Sequence, residues 1–197
     1  MASQIELLHA AEADLPTEYG HFRIHGFTAG KDELVALVMG DLVHDKAALL
    51  VRIHSQCLTG DVFHSLRCDC REQLELAVKA IAHEGRGMLI YEPKEGRGIG
   101  LVNKLRAYAL QDQGHDTVEA NEALGFEADL RDYEFPGLIL RHFGITQVRL
   151  MSNNPKKLEA LESTGIEVVE RVPIVAEALQ SREDYLRTKK EKMGHLI

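Results

Sequence analysis

All three cysteines of the chain, Cys57, Cys68 and Cys70, fall within one stretch, VRIHSQCLTGDVFHSLRCDC. An odd set that ends in Cys-Asp-Cys cannot close into a disulfide framework, so the fold has to rest on an ordinary buried core and the thiols are left for other work. Three thiolates are enough to hold a metal. A tetrahedral zinc bound by three protein groups keeps its fourth position for water, the arrangement of catalytic rather than structural sites. A single cysteine is usually just a buried thiol. Three of them beside His54, Asp61, His64 and Asp69 point instead to a hydrolytic zinc site.

The rest of the composition narrows the class. A chain of 197 residues can bury a sizeable core in one domain. No apolar run approaches the roughly 20 residues that span a bilayer. The start, MASQIELLHAAEADLP, carries acidic residues and lacks the basic-then-apolar layout of a secretory signal. A cytoplasmic location with no membrane partner is therefore expected. The formal net charge of -8 argues against a general nucleic-acid surface, because phosphate backbones are held by clustered Lys and Arg. It leaves room for a local basic pocket that takes one nucleotide.

Periodicity divides the chain. Residues 20–28 (GHFRIHGFT), 34–38 and 47–53 are rich in Val, Ile and Phe and punctuated by Gly and Asp, which predicts strands. Residues 71–83 (REQLELAVKAIAH) repeat their apolar positions at spacings of three and four and stop at Gly85, which predicts a helix. A buried strand is predicted at 88–91 and a helix at about 99–113. Further helices are predicted at 135–143 and 155–163, with strands at 147–151 and 166–172. This alternation predicts a single three-layer α/β/α domain with a mixed sheet and a strand-rich N-terminal third. The expected division is a catalytic domain over residues 1–175 and a charged tail over 176–197, helical or partly mobile.

Two further constellations carry chemistry. The loop Glu95-Gly96-Arg97-Gly98-Ile99-Gly100 joins a predicted strand to a predicted helix, so its N–H groups and the helix start can face an anion. It matches neither the dinucleotide fingerprint nor the GxxxxGKS loop. A lone Gly-rich turn is more often a tight connection, but here a carboxylate could accept from a guanine edge and a guanidinium could grip phosphate. The second constellation is Asp129-Leu130-Arg131-Asp132-Tyr133 together with Ser152-Asn153-Asn154-Pro155-Lys156-Lys157. Asn before Pro is a good helix start, and one that also carries Ser152, Lys156 and Lys157 suits phosphate.

Residues 52–61 (RIHSQCLTGD), SLRCDC at 65–70, EGRGIGL at 95–101, KLRAYALQDQGHDTVEAN at 104–121, NNPKK at 153–157 and TKKEKMGHL at 188–196 together resemble the GTP cyclohydrolase II family. The likeness runs over nearly the whole chain in the family's order. It looks like the stand-alone form, without a fused dihydroxybutanone-phosphate synthase domain. The resemblance implies hydrolysis of GTP to 2,5-diamino-6-ribosylamino-4(3H)-pyrimidinone 5′-phosphate, formate and pyrophosphate, the first step of riboflavin biosynthesis. It also implies a homodimer.

By matching positions, the resemblance implies one Zn²⁺ per chain on Cys57, Cys68 and Cys70, activating water for attack on C8 of the purine, and Mg²⁺ on the triphosphate. It makes Asp129 the proton acceptor and Arg131 the group acting at the α-phosphorus. An arginine with its pKa above about 12 suits charge stabilisation there better than covalent attack. Arg52, Ser55, Gln73, Glu95, Gly96, Arg97, Thr117, Ser152 and Lys157 match GTP contacts, and Tyr108 an aromatic near the purine. Gln56 stands where the family has Glu, Arg71 where Gly follows CDC, and Ser152 where Thr precedes NNP; residues 176–180 replace a GRNP-type stretch. Two alternatives remain: a paralogue that stops at the formamidopyrimidine, and a non-catalytic zinc-containing protein that binds guanine nucleotide.

Overall fold

The computed structural model describes residues 6–42, 44–45, 47–127, 131, 133–176 and 183–196. One seven-stranded sheet runs through it. Its strands are β1 (Leu7–Thr17), β2 (Gly20–Ala29), β3 (Asp32–Met39), β4 (Leu49–Ser55), β5 (Gly87–Glu92), β6 (Gln147–Met151) and β7 (Glu167–Val172), in the spatial order β1-β2-β3-β5-β4-β6-β7. The first three strands and β5 pair antiparallel, while β5, β4, β6 and β7 run parallel. This is the expected mixed sheet with its strands concentrated in the N-terminal part.

Helices cover both faces, as parallel strands require. They are α1 (Leu58–Asp61), α2 (Cys70–Glu84), α3 (Gly100–Gln111), α4 (Thr117–Ala123), α5 (Glu134–His142), α6 (Pro155–Ser163) and α7 (Glu183–Met193). β4 reads LLVRIHS and is buried along six of its seven positions. Its period of two sends Leu49, Val51 and Ile53 into the core shared with Ile139, Leu140 and Leu161 of α5 and α6. Leu50 goes into the opposite core, against Ala77, Val78 and Ile81 of α2. Arg52 and His54 continue that second face at the strand's C-terminal end, where polar groups belong to a site rather than to packing. The crevice outside the carboxyl ends of parallel strands is where α/β sheets place ligands.

The predicted elements all form, with ends shifted by a few residues at most. Three others carried no readable period. β1 is an edge strand exposed along most of its length, so it lacks the alternation that marks a half-buried strand. The helices α1 and α4, of 4 and 7 residues, are too short to show a 3.6-residue repeat. No described helix is long and apolar enough to cross a membrane.

α5 and α6 cross at Gly137, where an added Cβ would lie 2.0 Å from Thr164 Oγ1 at the C-terminal end of α6. Gly137→Ala is expected to destabilise the fold by roughly 1–3 kcal/mol through this overlap. The urea midpoint measures it, and an unchanged midpoint would contradict the close crossing.

Candidate active site

One cavity of about 330 Å³ opens at the carboxyl ends of β4, β5 and β6. Cys57, Cys68, Cys70, Arg52, Ser55, Gln73, Glu95, Gly96, Arg97, Tyr108, Thr117, Arg131, Ser152 and Lys157 all line it. Asp129, expected as proton acceptor, lies outside the described residues. So do residues 177–180 of the altered late segment. Of the other departures, Gln56 lines the cavity, whereas Arg71 does not and pairs with Glu75 one turn along α2 at 2.6 Å.

The cysteines converge from two segments. Cys57 precedes α1, and Cys68 and Cys70 lie at the start of α2. Their sulfurs lie within 4.8 Å of one another, with Cys57 Sγ and Cys68 Sγ 3.7 Å apart. Zinc–thiolate bonds of about 2.3 Å at a tetrahedral angle separate sulfurs by about 3.8 Å, so the spacing fits such an ion. Gly60 makes the cluster possible: a Cβ there would lie 2.9 Å from Cys68 Sγ and 3.1 Å from Cys57 Sγ. Hydrogen bonds from the Cys68 and Cys70 thiols, with Lys104 nearby, push the Cys57 thiol far down. In return Cys68 is pushed up to about 11, chiefly by its hydrogen bond to Cys57, and Cys70 well above its ordinary value. By themselves the three sulfurs thus share one negative charge. A bound dication reverses this, because coordinated thiols give up their protons.

Asp61, at the end of α1, fixes Cys57. Its carboxylate accepts from the Cys57 N–H at 3.0 Å, from Tyr91 OH at 2.9 Å and from His54 Nε2 at 3.1 Å. Burial lowers the pKa of His54, against the pull of Asp61. The imidazole is therefore neutral with its proton on Nε2, the tautomer Asp61 requires.

Lys104 was not singled out by sequence, although it sits one turn before Tyr108 on α3 and so shares its face. Its Nζ reaches Cys57 Sγ at 3.1 Å and Glu95 Oε1 at 2.8 Å. Burial works against its charge, but the Cys57 sulfur and Glu95 more than offset it, so the ammonium is held well above its ordinary pKa. Glu95 is correspondingly occupied. Its Oε2 accepts from the Leu58 N–H at 2.6 Å, binding the loop to the cysteine turn, and only its remaining lone pairs face a ligand. Gln73 is a bridge too, accepting from Arg52 at 2.7 Å and donating to Asp69 at 2.6 Å.

The EGRG loop is a one-turn 3₁₀ segment, Glu95–Gly98, with Gly96 and Arg97 both left-handed at φ 58° and 61°. A left-handed arginine costs of order 1 kcal/mol and persists only where its surroundings impose it. Here its guanidinium Nη1 and Nη2 are buried at the cavity without a hydrogen-bond partner among the described residues. Among the described residues eight lysines and arginines line the cavity against two carboxylates, Glu95 and Asp116, on a chain of net charge -8. Asp116 is itself consumed by a capping box that starts α4 and sets Thr117 at the rim.

The C-terminal tail contributes a wall that its charged sequence did not announce. Tyr185, Thr188, Lys189 and His195 line the cavity. Lys189 Nζ reaches Asp69 Oδ1, between the two cysteines of CDC, at 2.6 Å in a buried pair. Leu196 N–H donates to Asn153 O at 2.9 Å. His195 is driven down to about 3 by burial and by surrounding cations, so it stays neutral. The spacing of TKKEKMGHL gives no hint of these contacts, which depend on where the sheet ends.

Fold and cavity together define an α/β protein with a three-thiol metal-type site beside a cationic cradle. The chain belongs to the GTP cyclohydrolase II family, whose family model matches residues 8–173. It is 55% identical over 197 residues to "GTP cyclohydrolase-2" of Histophilus somni, covering 99% of this chain and 90% of that protein. It is 54% identical to "Riboflavin biosynthesis protein RibBA" of Staphylococcus saprophyticus over 99% of this chain and 49% of that one, and to the Bacillus subtilis protein of that name over 93% and 46%. The chain spans about half the length of those RibBA relatives.

Gly60→Ala is expected to expel metal while leaving the fold in place, since the added methyl presses only on the three cysteine side chains, 2.9 Å from Cys68 Sγ and 3.1 Å from both Cys57 Sγ and Cys70 Cβ. Bound zinc per chain, measured after gel filtration, should fall at least tenfold at the thiol site. Retention of zinc at that site would contradict the crowding.

Proposed function

We propose that this chain hydrolyses GTP to 2,5-diamino-6-ribosylamino-4(3H)-pyrimidinone 5′-phosphate, formate and pyrophosphate, in the first step of riboflavin biosynthesis. The observation that carries this reading is a single cavity in which three converging thiols sit beside a cationic cradle, in a chain of this family. Zn²⁺ held by Cys57, Cys68 and Cys70 supplies Lewis-acid activation of water near neutral pH. Mg²⁺ accompanies the triphosphate.

The chain's own groups do the rest. The Arg97 guanidinium, buried without a hydrogen-bond partner among the described residues, receives phosphate oxygens, and Lys157 and Ser152 add donors at the start of α6. Arg131 lies 3.3 Å from Ser55 Oγ and places a fixed positive charge where charge builds at the α-phosphorus. The Tyr108 ring carries the Arg67 guanidinium on one face at 4.5 Å and offers its surface to the purine. Lys104 keeps a positive charge on Cys57 and holds Glu95 in place. Asp129 is the proposed proton acceptor. The protein works as a homodimer in the cytoplasm, a reducing compartment that keeps its cysteines out of disulfides.

Incubation with GTP, Zn²⁺ and Mg²⁺, with formate and pyrophosphate measured separately, tests this. Wild-type protein is expected to release both. Cys68→Ser is expected to lose formate release while retaining pyrophosphate release, and Arg131→Ala to slow pyrophosphate release by about 10²–10³-fold. Intact GTP after incubation with zinc-replete protein would refute the activity. Pyrophosphate without formate would assign the formamidopyrimidine as product if the imidazole ring is found opened, and would refute the ring chemistry if the ring is intact.

A further inference from the structure

The outer hairpin of the sheet gathers a second set of metal-ligating side chains that the cavity does not use. β1 and β2 pair antiparallel, with His9 opposite Phe27 and Glu12 opposite His25. Opposed residues share a face, and His25 and Phe27, two apart on β2, share that same face. His9 and Glu12 are three apart on β1, so a regular strand would send them to opposite faces. The register shift between His9 and Ala11 inserts one residue and turns both to the same side.

The bulge brings His9 Nε2 to 3.3 Å from His25 Nδ1, and Glu12 Oε2 to 3.3 Å from that same nitrogen. All three ligand atoms lie within 4.8 Å of one another. Zinc bonds of about 2.0–2.2 Å to nitrogen and carboxylate oxygen give a tetrahedral edge of about 3.3–3.5 Å, which both separations match. A hydrogen-bond account has to share one ring N–H between an imidazole and a carboxylate, a three-centre arrangement with both contacts long at 3.3 Å.

The surroundings are built in the same sense. Arg23 takes the other Glu12 oxygen, Oε1, at 2.5 Å and Asp14 at 3.0 Å, so the carboxylate is held with Oε2 toward the imidazoles. His25 is buried against the edge of Phe143 at 4.9 Å, and the rings of Phe27 and His142 each lie 5.1 Å from that of His9. None of these residues lines the cavity.

We propose that His9, Glu12 and His25 form a second metal site, separate from the cysteines, for a borderline divalent transition ion, with Zn²⁺ the best fit. Two imidazoles and one carboxylate suit such an ion, whereas Ca²⁺ and Mg²⁺ take all-oxygen shells and Cu⁺ prefers sulfur. The fourth position is left to water. Because its ligands come from two strands, the ion clamps the edge strand β1 onto the sheet and binds only where the bulge is formed.

Equilibrium dialysis of the full chain against micromolar Zn²⁺, with zinc and protein quantified, tests the site. Wild type is expected to hold two equivalents. His9→Ala and Glu12→Gln, both exposed positions, should each hold one, with the second weakened more than tenfold. Cys68→Ser should keep the hairpin equivalent and lose the other, so failure at the thiols is told apart from failure here. Zinc should raise the unfolding temperature of Cys68→Ser but not that of Cys68→Ser combined with Glu12→Gln. Saturation of wild type at the one equivalent that Cys68→Ser removes would overturn the proposal. So would a second equivalent that His9→Ala and Glu12→Gln both retain.

Discussion

Three sulfurs brought within 4.8 Å of one another form the constraint around which the cavity is arranged. As thiols they can share only one negative charge, so full deprotonation needs a cation among them. The neighbouring structure is consistent with that demand. Asp61 fixes the backbone of Cys57 through one hydrogen bond while Tyr91 and His54 hold its carboxylate. Gly60 yields the space of a side chain to the sulfurs. Lys104 adds a positive charge beside Cys57 without supplying a ligand.

The same region is tied to the far end of the chain. Asp69 sits between two of the cysteines and pairs with Lys189 of α7, while Gln73 links it to Arg52 on the central strand. Removing one partner of such a buried pair costs about 3–5 kcal/mol, because the other charge is then stranded. The C-terminal helix is thus part of the cavity wall, and its anchoring is electrostatic rather than apolar. The cationic cradle is made differently. Arg97 is held left-handed and its guanidinium is buried with no hydrogen-bond partner among the described residues, which stores unfavourable energy that an anionic ligand can release.

Much of this was legible in the sequence. Strands and helices with a sustained period, such as 71–83 and 147–151, were readable because burial writes the period. The cysteines and the EGRG loop were readable from their own residues, whereas Arg52, Gln73, Tyr108 and Thr117 were reached through the family resemblance, because single polar residues inside a strand or helix carry no local signal. What escaped lies where a local pattern is silent. β1 is exposed on both faces and bulged, so HAAE carries no alternation, and the facing of His9 and Glu12 becomes visible only through the register with β2. Lys104, Lys189 and His195 act across long sequence separations, and their side chains look like ordinary surface charge until the helices are placed. Glu95 and Gln73 were readable as polar cavity groups, but not their roles as bridges, because the partners Leu58 N–H and Asp69 are set by tertiary folding.

The central claim is that the three thiols together hold the catalytic metal. X-ray absorption at the zinc edge tests it most directly, using Glu12→Gln protein loaded with zinc so that the hairpin imidazoles do not contribute. The account predicts three sulfur neighbours at about 2.3 Å and one lighter atom. A zinc shell made of nitrogen and oxygen, with no sulfur, would contradict it.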